Sequence, residues 1–545
     1  MSALEERGQA LTDPRARAAV VPASGEGRAT RLLLLLVLLL AGWALWRSPW
    51  SASNLAIVPD TVEYAIAAQR LATVGRYDLE IEGGSYPPRY PPWFSALFLA
   101  PAYALAPGEL GIGIVPVLVL ALGAVGAAFA LGRRLSGVWG AVAAAVTLAC
   151  FGEFRRLSRE IMSDVPAMTF GLWSCALYVR MRQGPGRTAD HVLAGWLCAA
   201  AFSLRVELAS LVLPFAALVL WRGERVWLRA ALVLAPAALV AAATALYNHV
   251  TFGTWARNGY HFWLPVPCDY PALLLSPRFL PENLARFASP WGLGPLGLGG
   301  LGAWRLLRRG SPAVRPVLGF LLLGALPGSL FHLFFFFPTL RFHLLSLSVL
   351  CVLAAAGLVT LLPERLRRWA RLGPALLVLL LPALPVKPDP LPERRIIAEA
   401  LARETSQRAV IVTAIEPVYL DPLVVRGTAR RVVPLSRWVE YASRSVAPER
   451  VDLPEEPTRL PLSPRAREIL RLHTRPVCAF TADEEPKRLA AWVREGRPVH
   501  LDASFLPGNF PLERLLGDDL ELVWSPRHPW LARFALRRVS RRGAP

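Results

Sequence analysis

Between residues 32 and 386 the chain is a succession of apolar runs separated by short polar breaks. A helix crosses the hydrocarbon core of a bilayer with about 20 mostly apolar residues. On that criterion the pattern predicts eleven spans, at 32–49, 110–131, 138–152, 165–181, 191–204, 207–221, 228–248, 291–307, 313–336, 341–362 and 372–386. Trp93–Ala106 is apolar but short and flanked by prolines, and reads as an interfacial or partly inserted helix. Arg205 and Glu207 interrupt Leu193–Leu220, so 191–221 is either one broken helix or two short ones. Losing a crossing there would invert everything that follows. From Lys387 onward the pattern is that of a soluble domain: Ala409–Thr413, Val477–Phe480 and Val499–Leu501 read as short buried strands and Pro486–Arg494 as an amphipathic helix. Strands alternating with helices suggest a small α/β domain. The predicted fold class is a polytopic α-helical membrane protein of about eleven spans. It carries a polar tail over 1–31, a multi-span domain over 32–386 and a C-terminal α/β domain over 387–545.

Arginine placement orients the spans. Arg133/Arg134, Arg180/Arg182/Arg187, Arg222/Arg225/Arg229, Arg305/Arg308/Arg309 and Arg365/Arg367/Arg368 fall in alternate loops. Loops rich in Arg and Lys lie on the cytoplasmic side. The expectation is a cytoplasmic N-terminus, an uncleaved first span and an extracytoplasmic C-terminal domain in a cell (plasma or inner) membrane.

Composition agrees with a bilayer environment. Of 545 residues, 54% are hydrophobic and 18% charged, against about 25% charged in soluble chains. The formal charge is +20, and all but two of the 60 basic residues are arginine, Lys387 and Lys487 being the exceptions. A nucleic-acid binder needs a basic stripe with interleaved aromatics on a soluble face; here the arginines sit mainly between apolar segments, where positive loops have a topological explanation, and in the C-terminal region, so nucleic acid is not the expected partner. Four of the six cysteines (Cys150, Cys175, Cys198 and Cys351) lie in apolar runs and no CxxC spacing occurs, so neither a disulfide framework nor a cysteine metal site is expected. The glycine run from Trp291 to Gly302 lacks the lysine of a phosphate loop and sits in an apolar span, where small residues let helices approach closely.

Chemistry concentrates in the loops on the Arg-poor side. Asp60, Glu63 and Tyr64 share a helical face in the first of these, which continues through Tyr86-Pro87-Pro88-Arg89-Tyr90. Asp60 could act as a general base on an acceptor hydroxyl, or simply cap a helix. Asp164, with Pro166 two residues on, presents the same choice. The two carboxylates could converge on one site or jointly hold a divalent cation, and carboxylates suit Mg or Mn. Arg205 is an intramembrane charge, with pairing to Glu207 or snorkelling as its alternatives. Asn248 and Tyr260 mark a further loop, and Arg341 and His343 follow Phe334–Phe337 at the start of the tenth span. An arginine there can bind a phosphate bidentately or serve as an interfacial anchor.

In order along the chain, Asp60-x3-Tyr64, Tyr86-Pro-Pro, Asp164-Val-Pro, Leu204-Arg205, Tyr247-Asn248 with Phe252-Gly253, and Arg341-Phe342 resemble the GT-C membrane glycosyltransferases. The branch is that of the protein mannosyltransferases, aminoarabinose transferases and related bacterial enzymes, and the resemblance covers residues 30–386. It implies transfer of a sugar from a polyprenyl-phosphate donor at the outer face to a lipid, glycan or protein acceptor, among membrane lipids. It also implies that Asp60 is the catalytic carboxylate and Asp164 the second acidic residue of the site. Arg205 and Arg341 become candidates for the donor phosphate, and Glu63, Tyr64, Tyr86, Asn248, Tyr260 and His343 candidate substrate contacts. Two departures stand out: Asp60-Thr61 replaces an Asp-Glu pair, and Arg341-Phe342 replaces the commoner Arg-Tyr. The rival class is a transporter or lipid flippase without bond chemistry, which would favour paired halves and polar residues near the bilayer midplane.

Overall fold

The computed structural model describes residues 24–47, 59–81, 84–108, 110–184, 186–223, 225–255, 258–260, 274–363, 392–415, 427–435, 484–504 and 512–537, with positions 420, 424, 425 and 506. The expected span at 372–386 and the expected strand at 477–480 lie outside them. Helix α1 runs over Ser24–Arg47, starting eight residues ahead of its apolar run. Helix α2, Pro59–Val74, opens the next segment, followed by an antiparallel hairpin of β1 (Leu79–Ile81) and β2 (Gly84–Tyr86). The short apolar stretch then forms a bent helix ending in α3, Ala100–Leu105. Two expected spans merge into one long helix, α4 (Ile114–Cys150), broken in the middle by Ser136 and by Gly137 at φ +76°. Only glycine adopts that backbone without strain.

Helices α5 (Gly152–Leu157), α6 (Asp164–Gln183) and α7 (Thr188–Leu204) follow. After Leu204 the chain is broken, because Arg205 is extended (φ −146°, ψ 108°) and a turn over Val206–Leu211 leads into α8, Val212–Arg222. Cys198 Sγ lies 3.5 Å from the Leu211 carbonyl oxygen, and Arg222 Nη2 donates to the Gly184 carbonyl at 2.6 Å. The chain therefore reverses at Arg205 and makes two short antiparallel arms. Helix α9 covers Val226–Phe252, α10 Leu280–Phe287 and α11 Pro290–Arg308. Helices α12 (Val314–Phe320) and α13 (Leu326–Leu333) join through a wide turn, and α14 covers Leu344–Val359.

Among the described residues four helices are long and apolar enough to cross a membrane by length and composition: Leu110–Cys150, Val226–Phe252, Val314–Leu333 and Leu340–Val359. On α9 the large apolar side chains face outward, with Leu234, Leu239 and Leu246 between 44% and 61% exposed. An apolar face of that extent needs a lipid or a partner against it.

The two ends of this helical body differ in chemistry. At one end the arginine-rich loops meet: Arg134 donates to Gln183, Arg182 lies over the Trp221 ring, and Ser311 donates to the Leu135 carbonyl. The candidate residues of the Arg-poor loops gather at the other end.

Residues beyond 391 build a five-stranded sheet in the order β4-β3-β5-β7-β6. Strands β3 (Val410–Thr413), β4 (Arg431–Pro434) and β5 (Val499–Asp502) are parallel, with Val410 opposite Arg431 and Val499; β7 (Leu531–Leu536) and β6 (Leu520–Trp524) run antiparallel. Val410 and Val412 point to one face, packed with Leu489 and Ala490 of α16 (Glu484–Arg494) and Leu515 of α17 (Leu512–Leu516). Ile411 points to the other, packed with Ile397, Ala398 and Leu401 of α15 (Pro392–Glu404) and with Val62, Ile66 and Ala67 of α2. Helix α2 is thereby shared. Its Val62/Ile66 face belongs to the core of the C-terminal sheet, while Tyr64, Ala65 and Ala68 pack into the core of the helical body.

The glycine run behaves as helix-packing sequence. A methyl group at Gly302 of α11 would collide with the Leu353 carbonyl of α14, and one at Gly357 of α14 with the Gly302 backbone. Gly300, two residues away, faces open space. We expect Gly302→Ala to destabilise the protein by about 1–3 kcal/mol, as overpacking does, and Gly300→Ala to leave it unchanged or slightly stabler. Thermal unfolding of the two variants in one detergent checks the contrast, and equal midpoints would remove the close packing.

Candidate active site

Asp60 sits in the first turn of α2 and is 5% exposed. It is not spent on capping. Its Oδ1 lies 3.4 Å from Arg89 Nη1 and its Oδ2 accepts from Arg341 Nη2 at 3.1 Å. The second arginine is 281 residues away along the chain and stands in the single turn, Leu340–His343, that leads into α14. Burial pushes the Asp60 carboxyl up, but the guanidiniums of Arg341 and Arg89 outweigh it and hold the group below its ordinary value. The carboxylate is therefore charged at neutral pH. One turn on, buried Glu63 accepts from the Arg89 backbone amide and lies 3.5 Å from its Nε. Arg89 is thus locked to α2 through both acids. Gly259 presses on the backbone of Pro88 and Arg89 closely enough that a Cβ there would clash.

Tyr64, also on α2, donates to Ser163 Oγ at 3.2 Å and stacks on Tyr90 with ring centres 4.3 Å apart. Tyr260 meets Tyr90 edge-on at 5.4 Å. Ser163 precedes Asp164, so this bond ties the first acidic helix to the second. Asp164 is the first residue of α6, and both of its carboxylate oxygens are buried without a hydrogen-bond partner among the described residues. Its charge is met by Arg205, whose Nη2 lies 2.9 Å from Oδ1 without hydrogen-bond alignment. Arg205 Nε reaches Glu207 at 2.8 Å. The pairing with Glu207 and the approach to Asp164 therefore coexist. Phe342 joins the two halves, since the guanidinium carbons of Arg205 and Arg341 each lie 5.0 Å from its ring centre.

Asp60, Glu63, Tyr64, Asp164, Arg205, Tyr260 and Arg341 thus form one connected constellation. Two of the other expected residues, Asn248 and His343, make no described contact with its side chains, and of Tyr86 the backbone is described. Asn248 is buried near the end of α9. His343 packs against Phe287 at 4.7 Å with its Nδ1 unpartnered. Tyr86 ends β2, with its backbone opposite Leu79. Sequence reasoning gave no role in the site to Arg89, Tyr90, Ser163 or Phe342. Arg89 carried a usable signal: a lone cation between two proline pairs, in the same loop as Asp60 and Glu63.

Among the described residues no three His, Cys, Asp or Glu side chains come together as a ligand set. Both Asp60 oxygens face guanidiniums and Asp164 Oδ1 faces Arg205, so the carboxylate oxygen of this pair left for a cation is Asp164 Oδ2, which is buried without a hydrogen-bond partner among the described residues.

Comparison with known proteins places this geometry. The family described as dolichyl-phosphate-mannose-protein mannosyltransferase matches residues 87–249. The solved structure of ArnT from Cupriavidus metallidurans in the apo state aligns with a TM-score of 0.53 at 14% identity, covering 94% of this chain and 98% of that one. ArnT bound to undecaprenyl phosphate aligns at 0.48 and 14% identity, over 94% of this chain and 98% of that chain. The apo oligosaccharyltransferase of Archaeoglobus fulgidus aligns at 0.49 and 13% identity, over 94% of this chain and 75% of that one. No curated protein sequence matches. The family match and the ArnT alignment bear out the resemblance to the GT-C membrane glycosyltransferases, and the chain has their fold.

Arg205 is the only described cation in ion contact with both Asp164 and Glu207. Removing one partner of a buried charge cluster costs about 3–5 kcal/mol, because the remaining charge is left uncompensated. We expect Arg205→Met to destabilise the protein by about that amount, and addition of Asp164→Asn and Glu207→Gln to restore most of it. Unfolding midpoints of the single and triple variants decide this, and a single variant as stable as the wild type would show that Arg205 is dispensable to the fold.

Proposed function

We propose that this protein is a membrane glycosyltransferase of inverting type, moving a sugar from a polyprenyl-phosphate donor to an acceptor hydroxyl at the extracytoplasmic face. The orientation follows from the two unlike ends: arginine-rich loops inside, the Asp60 constellation and the C-terminal sheet outside. The observation that carries the reading is the buried contact of Asp60 with both Arg341 and Arg89. A carboxylate and two guanidiniums, buried together at the end of a helical bundle, suit transfer from a phosphate leaving group. There is little covalent work for the protein to do, so positioning and charge stabilisation dominate.

In this reading the acceptor hydroxyl gives its proton to Asp60 as its oxygen bonds to the anomeric carbon. The bond from that carbon to the phosphate oxygen breaks, and the phosphate leaves with the electron pair. Asp60 loses its charge as the phosphate gains one. Arg341, held by the carboxylate in the resting state, then has the stronger partner in the phosphate, which its planar fork fits bidentately. The guanidinium passes from base to leaving group in step with the reaction. Arg89, tied also to Glu63, keeps its place. Arg341 also lies over the Phe337 ring at 5.8 Å, where an aromatic wall could meet an isoprenoid chain. ArnT, whose apo form aligns with this chain, has been solved bound to undecaprenyl phosphate. If a divalent cation serves the reaction, Asp164 would hold it, and its positive charge would neutralise donor phosphate.

A transporter or flippase would need polar groups along a path through the bundle. Here the seven residues that meet belong to one end.

Asp60→Asn should abolish transfer while leaving membrane insertion intact; because it strips Arg341 and Arg89 of a buried counter-charge it should also lower the unfolding midpoint, so transfer is measured well below that midpoint. Transfer of radiolabelled sugar from a lipid-linked donor is the measurement, and near-normal turnover in the Asn variant would remove Asp60 from the mechanism. Arg341→Lys keeps the charge and loses the fork. Donor KM should rise about tenfold or more while acceptor KM stays within about twofold, in steady-state kinetics on purified protein. An unchanged donor KM would make Arg341 a structural counter-ion only.

A further inference from the structure

A second charged concavity lies away from Asp60, where the parallel strands of the C-terminal sheet begin. Its volume is about 1260 Å³, and its walls include Arg408, Arg430, Arg431, Arg497, Glu80 and Glu495. These residues come together because β3, β4 and β5 all start at this edge: Arg408 stands two residues before β3, Arg431 opens β4, and Arg497 stands two residues before β5. Glu80 reaches it from the β1–β2 hairpin of the loop that carries Arg89.

The arginines play two roles. Arg430 is buried, at 7% exposure, and four of its donor contacts go to the carbonyls of Ala402, Thr405, Ser406 and Val424. No carboxylate pairs with it among the described residues. Carbonyl dipoles solvate such a cation without cancelling it, so a fixed positive charge lies under the groove. Arg497 bonds the carbonyls of Arg408 and Ala429 and stitches the strand starts together. Arg408 and Arg431 are exposed, and their side chains make no ion pair or hydrogen bond among the described residues. Against these four stand two glutamates, one of which, Glu80, is already held by Arg70. The surplus is positive, and two of its forks are free.

We infer that this groove binds an extended anionic glycan, a chain bearing carboxylate or phosphate groups, with Arg408 and Arg431 as its bidentate contacts and Arg430 as a fixed charge beneath. A lipid headgroup site would call for an apolar rim to meet the acyl boundary, and this groove is walled by charged side chains and strand-end backbone. That the bound glycan is the acceptor rests on the transfer reading above; that the groove binds an anionic chain does not.

The test is direct binding to the full-length protein in detergent, with dextran sulfate as probe and neutral dextran of equal length as comparison. Dextran sulfate should bind saturably, more weakly as salt screens the charges, and neutral dextran should not bind. Arg408→Gln/Arg431→Gln should raise the Kd roughly tenfold or more. Arg308→Gln/Arg309→Gln, which removes the same charge from the arginine-rich end of the helical body, should leave it within about twofold. Equal weakening by the two double variants would overturn the assignment, as general attraction to a chain of charge +20. Equally tight binding of glycerophosphoglycerol would overturn it in favour of a lipid headgroup. Asp60→Asn should bind dextran sulfate normally, so failure of the groove and failure of the catalytic reading give different results.

Discussion

The site depends on one electrostatic constraint: a carboxylate taken out of water must be met by fixed positive charge. Asp60 satisfies it with one cation from its own loop and one from the turn before α14. That second contact obliges the chain to bring its beginning and its last described membrane-body helix to the same end of the bundle. Arg205 repeats the device for Asp164 and Glu207. The two clusters are joined by Tyr64 through Ser163 and by Phe342. Two acid–arginine groups with an aromatic seam between them make a rigid polar floor.

Much of this was legible in the sequence because membrane segments announce themselves by length and hydropathy. Helices occur where apolar runs stood, from α1 to α14, and the charged pair Arg205/Glu207 marks a true reversal of the chain. The two merged spans of α4 could not be told apart from hydropathy, since the break at Ser136–Gly137 leaves both halves apolar. In the C-terminal region, β3 showed as a run of valine and isoleucine and β5 as a short apolar stretch around Val499–Leu501. Strands β6 and β7, with sequences LELVW and LARFAL, were passed over because neither alternates cleanly between apolar and polar residues. Each is short, and only its pairing with the other across the sheet edge shows it to be a strand.

The site was legible by residue type and order, less so by partnership. Asp60, Asp164, Arg205 and Arg341 were identifiable because charges beside apolar runs are costly and need a reason. Which arginine meets which acid was not, because the contacts join positions far apart in sequence. Arg89 was hidden by its context, a loop where a surface arginine is ordinary. Asn248 and His343 were named from the same cue, a polar residue near a span end; both are buried, and His343 packs against Phe287.

Helix α2 has a further consequence. One of its faces lies in the core of the C-terminal sheet and the other carries Asp60 and Tyr64 into the polar floor. The distance between those faces is one helix diameter, roughly 10 Å. A small molecule or antibody fragment that wedged between α15 and α2 would tilt the wall that bears the carboxylate without touching the polar floor itself. On the proposed reading, inhibition of that kind would be non-competitive with both substrates, and resistance to it would arise at Val62, Ile66 or Ile397 while the residues of the polar floor stayed unchanged.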